Sequence, residues 1–116
     1  MQHIFRIILL GLALACTATV SAAQQTPEER GKAHFNDPKL GGGTSGRSCN
    51  TCHPGGKGLF GVADKMGWAT PAGRSRTLED AINICITKAL NGKPLGVKSR
   101  EMQDLIAYLR TLKPKP

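Results

Sequence analysis

The stretch Cys49-Asn50-Thr51-Cys52-His53 decides what this chain folds around. Two thiols three positions apart can each add to one vinyl group of the same porphyrin, and the residue after the second thiol then lies under the iron. We therefore expect one covalently attached haem c, bound through Cys49 and Cys52. We expect His53 to be the proximal ligand to the iron.

Two other kinds of site use a Cys-x-x-Cys pair, and both fit this chain poorly. A structural zinc site needs four Cys or His ligands, and beyond the quoted stretch the expected mature chain offers only His34 and Cys85. A thioredoxin-like redox site needs a βαβ frame, and the sequence shows no strand pattern. The adjacent His53 therefore favours haem, and we expect His34 to face solvent without a site.

Residues 1–23 have the parts of a secretory signal peptide. Arg6 makes the start positive, Ile7 to Ala15 forms a short apolar core, and Ser21-Ala22-Ala23 offers small residues for cleavage. The apolar core is too short to span a bilayer comfortably. We therefore expect a periplasmic protein whose mature part is one cofactor-binding domain, residues 24–116.

Cys16 offers a lesser alternative, in which the exported chain is anchored by a lipid. The sequence Leu14-Ala15-Cys16 could be a lipoprotein processing site, but Ala13 stands where such sites usually have a larger aliphatic residue. We expect a cleaved leader and no transmembrane span in the mature chain.

Helix signals divide the mature chain into three main segments separated by glycine-rich loops. The segments begin at the N-caps Thr26, Thr77 and Ser99, and we predict helices over residues 26–36, 77–92 and 99–112. Gly92 is placed to end the second helix, whose apolar face includes Cys85. Residues 63–68 allow one further short helical turn. These patterns predict an all-α fold with three to five helices around one haem.

The chain resembles the class I cytochrome c family over most of its mature sequence. Gly31 and Phe35 match that family's Gly-x-x-x-aromatic pattern, and Tyr108-Leu109 matches the aromatic partner where the terminal helices cross. Gly58-Leu59 is similar to the family's Gly-Pro-x-Leu loop without the proline. The resemblance implies a small cytochrome c fold, and the missing proline leaves the carbonyl partner of the His53 N–H unassigned.

The sixth iron ligand is open, because loop 91–98, where the family normally has a Met, has none. Three residues are candidates, in the order Cys85, Met102 and Met66. Cys85 leads because it is the thiol left over after leader cleavage and haem attachment, although a free Cys is often only a small buried residue. Met102 also fits the apolar stripe of the last helix, and Met66 lies in an irregular segment.

A second, narrower resemblance connects Cys85 with sulfur chemistry. The stretches 82–85, 90–95, 99–102 and 107–109 are similar to the haem domain of thiosulfate dehydrogenases. This resemblance implies that Cys85 stands where those enzymes have an axial haem ligand. The chain has one haem motif where they carry two, so the resemblance does not extend to a pair of haems.

The charge balance of the mature chain favours acidic protein partners. Without Arg6 the sixteen Lys and Arg become fifteen, against eight Asp and Glu. Such an excess steers a small protein toward redox proteins with acidic docking faces. The basic residues that follow the haem motif are Lys57, Lys65, Arg74 and Arg76. Export and the lack of interleaved aromatics exclude nucleic acid as a partner.

These observations predict an exported monohaem c-type cytochrome that carries single electrons between redox proteins. The alternative is a haem subunit or enzyme of thiosulfate-type oxidation, with Cys85 at the iron. A haem-based sensor of small ligands is a third class, and it would need an exchangeable sixth position.

Overall fold

The computed structural model describes residues 23–114. In chain order the elements are α1 (Pro27–Asn36), α2 (Cys49–Cys52), β1 (Trp68–Thr70), β2 (Gly73–Ser75), α3 (Leu78–Ala89) and α4 (Arg100–Thr111). Three short 3-10 turns lie at Leu40–Gly42, Pro54–Gly56 and Val62–Asp64. None of the helices in the described part is long and apolar enough to cross a membrane. The predicted leader, with Cys16, lies outside the described residues except for Ala23.

The predicted helix starts are confirmed by their capping hydrogen bonds. At α1 the Glu29 N–H donates to the Thr26 hydroxyl at 3.2 Å, and the Glu29 carboxylate accepts from the Thr26 N–H at 2.8 Å. The hydroxyls of Thr77 and Ser99 each accept from the backbone N–H three residues on, at 3.1 and 3.3 Å. Each cap satisfies a backbone donor that has no partner inside its helix.

The end of α3 differs from the prediction. Asn91, rather than Gly92, adopts the left-handed conformation, with φ of 53°. Asn tolerates this conformation better than most residues with a side chain. Gly92 has a different role, because a Cβ there would lie 3.0 Å from the Leu40 carbonyl oxygen. It is small so that the loop can pass close to the turn at residues 40–42.

The all-α prediction is confirmed only in part, because β1 and β2 form a small antiparallel hairpin beside the helices. The helical turn expected at 63–68 is replaced by the 3-10 turn Val62–Asp64, and Trp68 already begins β1. The Trp68 indole N–H donates to the Val62 carbonyl at 2.8 Å and fixes the hairpin to that turn. Three residue pairs are too few to show a strand alternation in the sequence.

Helices α1 and α4 cross in close contact, as the resemblance implied. A Cβ on Gly31 would overlap the Asp104 backbone carbonyl and would lie 2.8 Å from the Tyr108 Cβ. One turn further along α1, the rings of Phe35 and Tyr108 pack with centroids 5.1 Å apart at 58°. This tilted geometry is favourable for aromatic pairs. The crossing buries Phe35 and Leu105 in the hydrophobic core.

An ion pair between Arg30 and Asp104 ties the same crossing together. The guanidinium donates two hydrogen bonds to the carboxylate, from Nε and Nη2, each 2.7 Å long. The bond from Arg30 holds the pKa of the buried Asp104 below its usual value, and the positive charges of Arg100 and His34 add to this effect. His34 is half-buried on this side, so the expectation that it faces solvent is met only in part.

We expect Gly31→Ala to lower the free energy of unfolding by about 3 kcal/mol, at the upper end of overpacking costs. The added methyl group would force α1 away from the Asp104 carbonyl. Denaturant unfolding of the haem-bearing protein measures the change, with Lys32→Ala on the exposed face of α1 as the control. A stability gain in Gly31→Ala, which helix propensity alone would give, would contradict the tight crossing.

We expect the Asp104 carboxylate to make stability depend on pH. A carboxyl whose folded pKa is lowered contributes stability above its unfolded pKa of about 3.9, and loses it as pH falls through the folded value. Asp104→Asn should therefore lower the melting temperature by several degrees at neutral pH and reduce the further loss in acid. Asp64→Asn removes only an exposed pair with Lys113 and should have little effect. Equal acid profiles for both variants would overturn this assignment.

Candidate haem site

A cavity of about 570 Å³ lies between α1, α2, the hairpin, α3 and α4. Its walls are mainly apolar, and they include Phe35, Leu59, Trp68, Ile82, Leu105 and Leu109. The cavity size falls within the range of small-molecule and cofactor sites. Every helix contributes to the lining, so a ligand here would complete the core of the domain.

Helix α2 presents the two thiols of the haem motif to this cavity. Cys49 and Cys52 stand one turn apart and both line it, Cys49 half-buried and Cys52 exposed. Ahead of the helix, the Ser48 N–H donates to the Thr51 hydroxyl at 2.9 Å. After it, the Asn50 side chain accepts from the Gly55 N–H at 2.9 Å. These bonds explain how a helix of one turn is held, since so short a helix has little stability alone.

His53 follows α2 and also lines the cavity. Its backbone N–H donates to the Cys49 carbonyl at 2.9 Å, and its Nδ1 lies 2.9 Å from the Lys57 carbonyl oxygen. Because a carbonyl oxygen can only accept, the proton belongs on Nδ1 and the lone pair on Nε2. A neutral imidazole oriented in this way is suited to bind a metal through Nε2.

The carbonyl partner that the sequence left unassigned is therefore that of Lys57. The chain turns directly after it at Gly58, whose φ of 83° favours glycine. Leu59 then packs against the core. The Gly58-Leu59 pair thus forms a usable loop without the proline of the related pattern.

Burial disfavours the charged forms of the cavity thiols. Desolvation raises the pKa of Cys49 to about 11, with a smaller contribution from the nearby Cys85. Desolvation also raises the pKa of Cys85, and the nearby Cys52 adds to this shift. Both thiols are therefore protonated at neutral pH in the protein alone, because the loss of solvent disfavours the thiolate. A thiolate at Cys85 would need a positive charge inside the cavity, such as that of ferric iron.

The three candidates for the distal ligand occupy different environments. Cys85 lines the cavity together with Cys49, Cys52 and His53. Met102 is fully buried on α4 and is not part of the lining. The Met66 side chain is 98% exposed, although both of its neighbours line the cavity.

Asn83 fixes the part of α3 that carries Cys85, and the sequence analysis missed this role. Its side chain donates to the Leu95 carbonyl at 2.9 Å and accepts from the Leu95 N–H at 2.8 Å. The two bonds hold loop 91–98 against α3, and Leu95 packs on the core. An Asn inside a helix could have signalled this contact, because Asn is unfavourable there unless its amide finds a partner.

The residues present fit a covalently attached haem. The cavity is apolar, two thiols one helical turn apart stand beside a His with a free Nε2, and a third thiol lines the same space. Apolar walls suit the porphyrin, and His with a sulfur ligand is a common axial pair for haem iron.

Comparisons with known proteins agree with this site. Residues 30–113 match the model of the family described as SoxA/TsdA, cytochrome c domain. The chain is 29% identical over 68 residues to the L-cysteine S-thiosulfotransferase subunit SoxA of Paracoccus pantotrophus, covering 58% of this chain and 23% of that protein. The crystal structure of SoxXA from P. pantotrophus superposes with a TM-score of 0.60 and 27% identity, over 72% of this chain and 31% of that chain. The chain thus spans about a quarter to a third of these relatives.

Proposed function

We propose, since this chain belongs to the SoxA/TsdA cytochrome c domain family, that it carries single electrons in the oxidation of sulfur compounds. Family membership establishes a c-type cytochrome domain with covalently bound haem c as its cofactor. The observation that carries the proposal is the cavity in which Cys49, Cys52, His53 and Cys85 meet.

In this proposal the protein's own residues hold and shield the cofactor. Cys49 and Cys52 attach it, and His53 binds the iron through Nε2 while the Lys57 carbonyl fixes the ring. When bound, haem supplies an iron that gains or loses one electron. Apolar walls keep water away from it, which limits the rearrangement that each electron transfer requires.

We assign the distal position to Cys85. The support is its place in the cavity lining, where neither Met66 nor Met102 contributes a side chain. A thiolate donates electron density to iron and stabilises the ferric state, so this ligand favours a low potential. The donor protein must then be a strong reductant or must bind so as to favour transfer.

We further propose a periplasmic location and redox proteins with acidic docking faces as partners. Residues 1–23 support export, as in other chains with such leaders. Lys57, Lys65, Arg74 and Arg76 are all exposed, and their positive charge would speed encounter with an acidic partner. A protein of the SoxX kind is one such candidate, given the similarity to a chain of SoxXA.

A second candidate function makes Cys85 the place of sulfur chemistry. The half-buried Cys85 thiol in the cavity favours it, as does the name of the relative, an L-cysteine S-thiosulfotransferase subunit. Joining two thiosulfate ions releases two electrons, whereas one haem accepts one. A monohaem chain would therefore have to pass the first electron to a partner before accepting the second.

We expect the absorption spectrum of the ferric protein to identify the distal ligand. Cys85→Ala should remove thiolate-type features and raise the midpoint potential, because a negative ligand is lost. Met102→Leu and Met66→Leu are matched controls. Each removes one of the other two candidate sulfur ligands and should leave the spectrum unchanged. Loss of a sulfur-to-iron band only in Met102→Leu would contradict the assignment of Cys85.

Thiosulfate-dependent reduction separates the carrier from the enzyme. If Cys85 performs sulfur chemistry, thiosulfate should reduce the ferric protein, and Cys85→Ala should abolish this while Met102→Leu retains it. If the protein is a carrier only, thiosulfate should leave the wild type ferric while a reduced partner cytochrome reduces it. Stopped-flow absorbance measures both reactions. Failure of every reduced redox protein to donate an electron would overturn the carrier proposal.

A further inference from the structure

One short stretch of the cavity wall carries positive charge that the protein leaves unneutralised. Lys65 is the one Lys or Arg among the described residues that line the cavity. Two residues further on, Gly67 also lines the cavity, and the Arg74 guanidinium lies against it. A Cβ on Gly67 would be 3.2 Å from Nη2 and 3.5 Å from Nε of Arg74.

The contact with Arg74 accounts for glycine at position 67. Gly67 has no positive φ, so its backbone conformation does not require glycine. The space that a side chain would fill is taken by the guanidinium instead. The sheet register explains how Arg74 reaches this point, because it stands opposite Ala69, and opposed residues of an antiparallel pair share one face. Ala69 lines the cavity, whereas Arg74 itself lines a neighbouring groove on the surface, so its guanidinium lies at the edge of the cavity, against Gly67.

Neither cation has an acidic partner in the described part of the chain. Its ion pairs join Arg30 and Arg100 to Asp104, and Lys113 to Asp64. Two cations at one rim repel each other unless an anion lies between or beside them. The neutral donors of the hairpin are already used, since the Trp68 indole bonds to Val62 and the Thr70 hydroxyl bonds to Gly73. The charged groups are therefore the free donors at this rim.

The chemistry of the cofactor supplies the matching anions. In haem c the two vinyl-derived carbons that bond to Cys sulfur lie on one edge of the porphyrin, and the two propionates extend from the opposite side. If Cys49 and Cys52 hold the first edge, the carboxylates would lie on the side of the cavity away from α2. Apart from the haem motif, Ser48 before it and the Cys85 thiol, the polar side chains of the lining are Lys65, Thr70 and Trp68, whose indole N–H already bonds to Val62.

We propose that Lys65 and Arg74 bind the haem propionates, and that Gly67 is small so that the Arg74 guanidinium can lie at the mouth of the cavity. A guanidinium can donate two parallel hydrogen bonds to one carboxylate, which fixes both position and charge. Lys65 and Arg74 thereby neutralise negative charge beside the iron. This raises the midpoint potential, because uncompensated carboxylates stabilise the ferric state.

The assignment separates the four basic residues that follow the haem motif. Lys65 and Arg74 bind the carboxylates of the cofactor in this proposal, whereas Lys57 and Arg76 remain free for a partner. Arg74 and Arg76 both line the neighbouring surface groove that contains Asp80, but the three atoms nearest to a Cβ on Gly67 all belong to Arg74. Exposed charges at a distance are screened over about 8 Å at physiological ionic strength, so they affect the iron less.

Variants of the hairpin arginines test the proposal through the midpoint potential of the haem-bearing protein. Arg74→Gln should lower the potential clearly more than Arg76→Gln, which removes the same charge two residues away. Lys65→Gln should also lower it, against Lys98→Gln as the control. The propionate bending mode in resonance Raman spectra should shift in Arg74→Gln and Lys65→Gln and stay unchanged in both controls. Arg74→Lys should restore part of the potential, because it keeps the charge without the planar fork.

Gly67→Val separates the position of the guanidinium from its charge. The valine side chain would fill the space where Arg74 lies, so the potential should fall although no charge is removed. Adding Arg74→Gln to Gly67→Val should then produce little further change. Equal shifts in Arg74→Gln and Arg76→Gln, or an unshifted Raman mode in Arg74→Gln, would overturn the proposal.

The proposal rests on the haem attachment proposed above. A separate measurement distinguishes failure of that attachment from failure of the propionate assignment. Denaturation followed by the pyridine haemochrome spectrum shows whether haem is bound covalently through Cys49 and Cys52. A protein without thioether-bound haem contradicts the attachment. If haem is bound through thioethers but the Arg74 and Arg76 variants do not differ, only the proposed role of Lys65 and Arg74 is contradicted.

Discussion

The close crossing of α1 and α4 at Gly31 is the constraint on which the rest of the structure depends. With no side chain at Gly31, the helix backbones approach until Phe35 and Tyr108 pack as a tilted pair and Arg30 reaches the buried Asp104. The same approach brings Phe35 and residues of α4 to the floor of the cavity. A wider crossing would open that floor, and the cofactor would lose contact with one of its walls.

Around this helix crossing, the cavity presents neutral groups to a cofactor inside and positive charge at its edge. The Lys57 carbonyl orients the His53 ring through Nδ1, and the half-buried thiols of Cys49 and Cys85 favour their protonated forms. Lys65 is the one Lys or Arg among the described residues that line the cavity, and Arg74 lies at its edge, against Gly67. Such a separation suits a group whose apolar ring is buried and whose carboxylates are at the surface.

The sequence predicted the parts of this site that depend on local chemistry. The haem motif, the caps at Thr26, Thr77 and Ser99 and the small residue at the helix crossing each have a signature within a few residues. The hairpin does not, because three pairs show no alternation. The Lys57 carbonyl is a backbone group that every residue shares, so only the three-dimensional path of the loop could identify it. The contact of Arg74 with Gly67 likewise joins residues whose spacing has no meaning outside the hairpin.

The two hydrogen bonds between Asn83 and Leu95 restrict how this haem site could change during evolution. They hold loop 91–98 against α3, with Leu95 committed to the core. Under the assignment of Cys85 proposed above, a substitution at Asn83 would loosen the loop and the helix that carries the iron ligand at once, so we expect few substitutions there to be neutral.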